Sequence, residues 1–219
     1  MRARKKKHAQ ERLALCRDYL EEDPRARRGA WREWFVSSGR MIAVGTLCLE
    51  IGCGKGDFAT GYAKRDPAAA FCALERIRDV LVLAAEKAKE KETHNLVYLC
   101  EDAQNLTEFF APGEVERLFL NFSDPWPKAR HAKRRLTSPL FLPIYREILA
   151  PDGVLCFKTD NAALFDYSLE TLPAAGFEVS HVTRDLHNSP ENEGNIQTEY
   201  ERNFSSQGFP IHRLEARKK

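Results

Sequence analysis

The sequence has no long apolar segment, and no run approaches the roughly 20 residues that a membrane-spanning helix needs. Its N-terminus, MRARKKKHAQ, is basic but is not followed by an apolar segment, which argues against a secretory signal peptide. None of the six cysteines belongs to a C-x-x-C pair, and there is no histidine cluster, so no metal site is expected. Strand-like apolar segments contain Cys48, Cys72, Cys100 and Cys156, which favours buried free thiols in a reducing cytoplasm.

The sequence also has little net charge: 34 basic and 32 acidic residues leave +2, which by itself does not indicate a nucleic-acid partner. The distribution of the basic residues is more informative, because they are concentrated in the three stretches 2–7, 25–32 and 128–135. Stretches of this kind are typical of surfaces that contact phosphates. The third stretch adjoins a motif that is described below.

Strand-like and helix-like segments alternate along the chain, which predicts one α/β domain with a mostly parallel sheet and helices on both faces. We expect this domain over residues 41–219, after a basic helical extension over 1–40. Two successive strands at the end predict an antiparallel hairpin at the sheet edge. The expected strands are 46–51, 69–75, 95–102, 114–122, 151–160, 177–185 and 198–208. The expected helices are 8–21, 29–36, 57–65, 76–91, 137–149 (with a kink at Pro143) and 161–174.

A glycine-rich loop, GCGKG over residues 52–56, follows the first strand, where open parallel sheets bind ligands. The dinucleotide pattern G-x-G-x-x-G would need glycine at position 57, where Asp57 stands, and this disfavours a nicotinamide dehydrogenase. Acids end the first three strands: Glu50, Glu75 and the pair Glu101-Asp102.

These acids suit a cationic ligand without phosphate, and S-adenosylmethionine is such a ligand. A carboxylate after the second strand can accept hydrogen bonds from ribose hydroxyls, and one after the third can reach the adenine amino group. We therefore expect S-adenosylmethionine to be held by Glu50, Gly52, Gly54, Glu75 and Asp102. The arrangement resembles the class I, Rossmann-like methyltransferase fold, with seven mostly parallel strands and one antiparallel strand.

The fourth strand continues into NFSDPWPKARHAKRRL, residues 121–136. Pro125 and Pro127 restrict the backbone on both sides of Trp126, whose indole could stack on a base or on the cofactor. Cations for phosphate contacts follow: Lys128, Arg130, His131, Lys133, Arg134 and Arg135.

The motif D-P-W-P-K-x-R-H-x-K-R-R-L closely resembles the signature of the bacterial tRNA (guanine-N7-)-methyltransferase family. The resemblance continues through K-T-D at 158–160 and T-E-Y-E at 198–201, and it departs at Ala129, where the family usually has a lysine. It implies that Glu50, Glu75, Asp102 and Asp124 bind the cofactor and that Asp124 is also the catalytic residue. It further implies substrate binding by Lys128, Asp160, Thr198, Glu199, Tyr200 and Glu201. The implied substrate is the variable-loop guanosine of tRNA, bound by a monomer or a homodimer. Asp160 also fits the N-cap of the helix that follows it.

Three alternatives remain at this point. An enzyme that methylates exocyclic amines usually has Asn/Asp-Pro-Pro-aromatic after strand four, whereas this chain has Asp124-Pro125-Trp126-Pro127. A small-molecule methyltransferase would not need the basic run 128–135. A non-catalytic RNA-binding module would not need the cofactor loop and its acids, so a cofactor titration distinguishes it.

Overall fold

The computed structural model describes residues 8–219, and a seven-stranded sheet runs through this part of the chain. The basic stretch 2–7 lies outside the described residues. The strands are β1 (Thr46–Ile51), β2 (Ala69–Leu74), β3 (Leu96–Leu99), β4 (Val115–Asn121), β5 (Leu149–Thr159), β6 (Phe177–Thr183) and β7 (His212–Lys218). The helices are α1 (Ala9–Ala14), α2 (Trp31–Ser37), α3 (Asp57–Arg65), α4 (Arg78–Glu90), α5 (Leu106–Phe109), α6 (Leu142–Ile148), α7 (Ala162–Ala174) and α8 (Glu199–Ser205).

The strand order is β3-β2-β1-β4-β5-β7-β6, and β7 alone is antiparallel to its neighbours. Alternate side chains of each central strand enter hydrophobic clusters on opposite faces; Leu47 and Leu49 belong to one cluster and Cys48 to the other. Both clusters include helix residues, so the sheet is covered on both faces. The predicted Rossmann-like sheet, with its antiparallel strand, is confirmed.

The seventh strand was predicted in the wrong place. Residues 199–205 form helix α8, and the strand is β7, which begins at His212. Thr198 caps this helix, because its Oγ1 accepts a hydrogen bond of 2.9 Å from the backbone N–H of Glu201. T-E-Y-E is therefore a helix start of the type Thr-x-x-Glu.

The predicted helices 137–149 and 8–21 are both shorter in the structure. Helix α6 begins only at Leu142, so Pro143 lies in its first turn, where proline is tolerated, and does not kink it. The hydroxyls of Thr137 and Ser138 bond to Ser168 Oγ and Lys133 O, and these contacts keep that segment out of the helix. Helix α1 ends at Ala14, and a 3₁₀ turn follows it. Cys100 is exposed, contrary to prediction, because β3 ends at Leu99; the other five cysteines are buried.

The N-terminal segment packs against the sheet domain. Trp31 is fully buried in the same hydrophobic cluster as β1, and its indole N–H donates to Phe109 O at 2.9 Å. The arginines of the second basic stretch bind protein groups, which fixes this segment in place. These contacts are Arg25 with Glu108, Arg27 with Glu21, Arg28 with Thr107 O and Arg32 with Glu116. No helix in residues 8–219 is both long enough and apolar enough to cross a membrane.

Candidate active site

A cleft of about 920 Å³ opens at the carboxyl edge of the sheet, where β1, β2, β3 and β4 end. Residues from all four strand ends line it, because parallel strands bring their carboxyl ends to one edge. The lining includes Gly52, Glu75, Asp102, Phe122, Asp124 and Trp126. Four of the residues predicted to bind ligand are thus brought together, namely Gly52, Glu75, Asp102 and Asp124.

The loop after β1 approaches its neighbours closely at Gly56. Its φ is +74°, and a Cβ there would lie 2.8 Å from Ala84 Cβ and would also overlap the Tyr98 hydroxyl. Only glycine fits both the backbone conformation and this contact. Gly52 has a φ of +75°, with open space where its Cβ would be. The loop therefore leaves room for a ligand to approach its backbone at Gly52, on the side that lines the cleft.

Glu50 is buried at the end of β1 and is only 2% exposed. Its Oε1 accepts a hydrogen bond of 2.8 Å from the side-chain amide of Asn121, whereas Oε2 has no partner. Burial raises the pKa of Glu50 to about 7, although the Asn121 amide, Lys158 and the backbone N–H of Ala59 favour its ionised form. A buried acceptor without a partner is costly, so a donor or cation from a bound ligand would stabilise this carboxylate.

Glu75 and Asp102 are held by backbone N–H groups. Glu75 accepts from Gly54 N at 3.2 Å and from Ile77 N at 2.8 Å, which ties the glycine loop to the end of β2. Asp102 accepts from Gln104 N at 3.0 Å and lies 3.4 Å from the guanidinium of Arg76. Both carboxylates are only partly buried and retain lone pairs for a ligand.

The segment that follows β4 has an unusual backbone. Phe122 and Trp126 both have positive φ, at +52° and +42°, a conformation that is uncommon for large residues and often found at functional sites. Arg135 holds this conformation, because its guanidinium donates to Pro125 O at 3.0 Å and to Trp126 O at 3.2 Å. Asp124 lies between the two aromatic residues and is exposed to the cleft.

The basic residues after this segment differ in what they contact. Arg135 is partly buried against the ring of Tyr167, so it supports the loop, whereas the sequence had assigned it to phosphates. Arg134 lies 4.9 Å from the Trp126 ring centroid, and the His131 ring meets the same indole edge-on. Lys128, Arg130 and Lys133 are exposed. A cationic surface thus borders the cleft at Trp126.

The remaining predicted substrate residues lie beside the cleft. Asp160 accepts a hydrogen bond of 3.2 Å from the Tyr200 hydroxyl, and burial together with this carboxylate raises the pKa of Tyr200 to about 12. The helix N-cap is Asn161, not Asp160. Glu199 forms an ion pair of 2.9 Å with Lys55 of the glycine loop. Tyr200 contacts Phe122, at 5.1 Å between ring centroids, and so connects α8 to the cleft.

Glu201 differs from these residues because it is completely buried. Its carboxylate lies 2.7 Å from Lys158 Nζ, and the Asn195 amide donates to it at 2.7 Å. Burial lowers the pKa of Lys158, and the charge of Glu201 offsets part of that shift. Glu201 therefore anchors α8 to β5, and its predicted contact with substrate would require this pair to open.

Sequence reasoning missed three contacts of this site. These are the contacts of Asn121 with Glu50, of Lys158 with Glu201, and of Arg135 with the carbonyls of residues 125 and 126. The signal was present for Lys158, because LCFKTD places a lysine at a buried position of an apolar strand. No group of three or more His, Cys, Asp or Glu within residues 8–219 is arranged to hold a metal ion.

Comparison with known proteins identifies relatives of the whole chain. A family model described as a putative methyltransferase matches residues 45–214. A tRNA (guanine-N(7)-)-methyltransferase of Lachnoclostridium phytofermentans is 49% identical over 91% of this chain and 90% of its own length. One of Halalkalibacterium halodurans is 47% identical over 99% of this chain and 95% of its own. Among solved structures, an Aquifex aeolicus SAM-dependent methyltransferase superposes with a TM-score of 0.56 at 14% identity, covering 98% of this chain and 100% of that one.

Proposed function

Because this chain belongs to the tRNA (guanine-N(7)-)-methyltransferase family, we propose that it methylates N7 of a guanosine in the variable loop of tRNA. The methyl donor is S-adenosylmethionine, and the products are N7-methylguanosine and S-adenosylhomocysteine. A tRNA substrate places the reaction in the cytoplasm. One observation carries the proposal: Asp124 and Trp126 share a single cleft with the acids that end β2 and β3.

The residues around the glycine loop fit S-adenosylmethionine. Glu75 suits the ribose hydroxyls and Asp102 suits the adenine amino group, and both line the cleft. Glu50 is buried next to the cleft-lining Ile51 and does not itself line the cleft, and its unpartnered Oε2 suits a cationic group. Gly52 leaves space above the loop, and Gly54 places its N–H against Glu75. When it is bound, S-adenosylmethionine supplies an electrophilic methyl group on a positively charged sulfur.

The chemistry requires positioning more than proton transfer. Guanine N7 carries a free lone pair, so it attacks the methyl carbon directly while the carbon–sulfur bond breaks, and no proton leaves. The protein must hold the base in line with that bond, at attack distance. The purine acquires positive charge in this step, and a fixed carboxylate near it stabilises the transition state. We assign this role to Asp124, which is exposed to the cleft between Phe122 and Trp126.

The tRNA contacts are proposed on both sides of Asp124. Lys128 and its basic neighbours lie on the Trp126 side, where they can bind phosphates. Asp160, Thr198, Glu199 and Tyr200 lie on the Phe122 side. Glu201 contributes by holding α8 in position.

A labelled-methyl assay tests the proposed function. Unmodified tRNA is incubated with the protein and methyl-labelled S-adenosylmethionine, and the product is then cleaved by chemistry specific for N7-methylguanosine. We expect label in the tRNA and a single cleavage site in the variable loop. Label that does not produce this cleavage would place the methyl group on another atom. Cofactor binding without methyl transfer would contradict the proposal.

Replacing Glu75 should weaken cofactor binding. A hydrogen bond to a charged group contributes on the order of 1.5–3 kcal/mol, so Glu75→Ala should lower the affinity roughly ten- to a hundredfold. Glu75→Gln is the matched control, because one oxygen still accepts from Gly54 or Ile77, and its loss should be smaller. Calorimetric titration measures both variants. Unchanged affinity of Glu75→Ala would rule out its ribose role.

The affinity for tRNA should fall steeply with salt if the cationic surface binds phosphates. Reversing the charges of Lys128, Arg130 and Arg134 should lower the log–log salt slope by somewhat under one unit for each lost contact. The matched control reverses Lys64, Lys91 and Arg217, which topology places at the opposite edge of the sheet. Filter binding at several salt concentrations compares the two triple variants. Equal slopes would place the RNA elsewhere.

A further inference from the structure

Four aromatic rings form a row that leads out of the cleft and along α8. The row consists of Phe122, Tyr200, Phe204 and Phe209. Successive ring centroids are 5.1, 4.3 and 5.7 Å apart, and Tyr200 and Phe204 are stacked with an interplanar angle of 22°. Phe122 lines the cleft, so the row is continuous with the proposed active site.

The outer end of the row is exposed and fixed. Phe209 is 53% exposed and Tyr200 is 43% exposed. The backbone N–H of Phe209 donates to Phe204 O at 3.2 Å, and the following Pro210 restricts the conformation of Phe209. Gly208, with a φ of +81°, makes the turn that brings Phe209 back against the helix. Because the backbone of Phe209 is held in this way, only its side-chain torsions lose freedom when a ligand stacks on the ring.

We propose that this row is a stacking site for a nucleobase of the tRNA, with Phe209 as the outermost contact and a base that flanks the target guanosine as the ligand. The proposal rests on the proposed function of the cleft. Two further rings separate Phe209 from Phe122, with successive centroids 5.1, 4.3 and 5.7 Å apart, so Phe209 contacts a base beside the target and not the target itself.

A site of this kind would offset a cost of the reaction. A guanosine that enters the cleft leaves its neighbours without a stacking partner, which costs a few kcal/mol. An aromatic face replaces that partner for any base, because every base presents a π-face. A single-stranded, unstacked nucleotide therefore fits this surface better than a duplex does.

Three substitutions of Phe209 in the full chain test the proposal. Phe209→Ala removes the ring, Phe209→Leu keeps the apolar packing against Phe204 without a π-face, and Phe209→Trp enlarges the face. Base–aromatic stacking is worth about 5- to 150-fold in affinity per base. We expect both Ala and Leu to weaken tRNA binding within this range, with cofactor affinity, melting temperature and salt slope unchanged. Phe209→Trp should bind at least as tightly as the parent, and its added tryptophan emission should be quenched by tRNA.

Several results would overturn the proposal. If Phe209→Leu binds tRNA normally while Phe209→Ala binds it weakly, the ring only supports α8 by apolar packing. Normal tRNA affinity of both Phe209→Ala and Phe209→Leu would show that no base stacks on Phe209. Reduced self-association of Phe209→Ala in sedimentation velocity would instead show that the row contacts a second copy of the chain. Failure here is distinguishable from failure of the proposed function, because the parent protein would still methylate tRNA at guanine N7.

Discussion

Asp124→Asn should slow single-turnover methylation of tRNA about 10²–10³-fold, while the affinity for tRNA changes little. The substitution keeps the size of the side chain and part of its hydrogen bonding but removes the negative charge. That charge matters mainly in the transition state, when positive charge moves onto the purine. Because ground-state contacts are retained, the loss should be confined to the chemical step.

The pH dependence separates this electrostatic role from general-base catalysis. Guanine N7 carries no proton near neutrality, so the Asn variant should remain slow from neutral to alkaline pH. Single-turnover rates of the parent and the variant across this range provide the measurement. Recovery of the variant at high pH, or with a small exogenous base, would show that Asp124 acts as a base. Near-parental rates throughout would remove Asp124 from the mechanism.

Glu50→Gln should lower cofactor affinity about a hundredfold at pH 8, because it removes the charge of the unpartnered buried carboxylate. In the parent, a cationic ligand should favour the ionised form of Glu50, whose pKa is about 7 in the free protein. Binding should therefore release close to one proton from this carboxyl at pH 6 and almost none at pH 8. Calorimetry in buffers with different ionisation enthalpies measures the number of protons released on cofactor binding. A Gln variant that releases as many protons as the parent would exclude this linkage.

The same substitution should change the pH dependence of stability without ligand. The folded chain holds a proton on Glu50 between about pH 4.5 and 7, whereas the unfolded chain has released it. The contribution of Glu50 to the free energy of unfolding of the parent should therefore fall as pH rises through this window. Glu50→Gln lacks this contribution. The free energy of unfolding of the variant, relative to that of the parent, should therefore be higher at pH 8 than at pH 5. Thermal denaturation at the two pH values, without cofactor, tests it.

Most of the sheet could be predicted because its central strands are apolar throughout and are bounded by turn residues. Strand β1 was predicted with the bounds that the structure shows, and β2 differs by one residue. Strand β7 was missed although His212, Leu214 and Ala216 alternate toward the core, since the preceding T-E-Y-E segment was taken for the last strand. A search for helix caps would have found α8, because Thr198 and Glu201 have the spacing of a capping box.

The candidate site could be predicted where acids end strands, because topology alone brings those positions to one edge. The candidate site could not be predicted where a side chain supports the site through contacts on the side away from the cleft. Nothing in the spacing of Arg135 distinguishes it from its basic neighbours, yet it turns inward to bind the carbonyls of Pro125 and Trp126. The same holds for Glu201, whose burial depends on a partner 43 positions away in the sequence, Lys158. Long-range pairing of this kind is visible only after folding.

The segment 184–211, which connects β6 to β7 and includes α8, forms a wall beside the cleft, and the buried pair between Lys158 and Glu201 also sets how often this wall detaches. A long connection between two strands ordinarily opens on its own, at little cost, and its amides exchange quickly with solvent. Here opening would break the hydrogen bonds that Lys158 Nζ donates to Asn195 Oδ1, Ile196 O and Glu201, and a hydrogen bond to a charged group contributes on the order of 1.5–3 kcal/mol. Fewer than about one molecule in a hundred would then hold this wall open at any moment. The surface would therefore be ordered before RNA binds, and no part of the free energy of binding would be needed to order it.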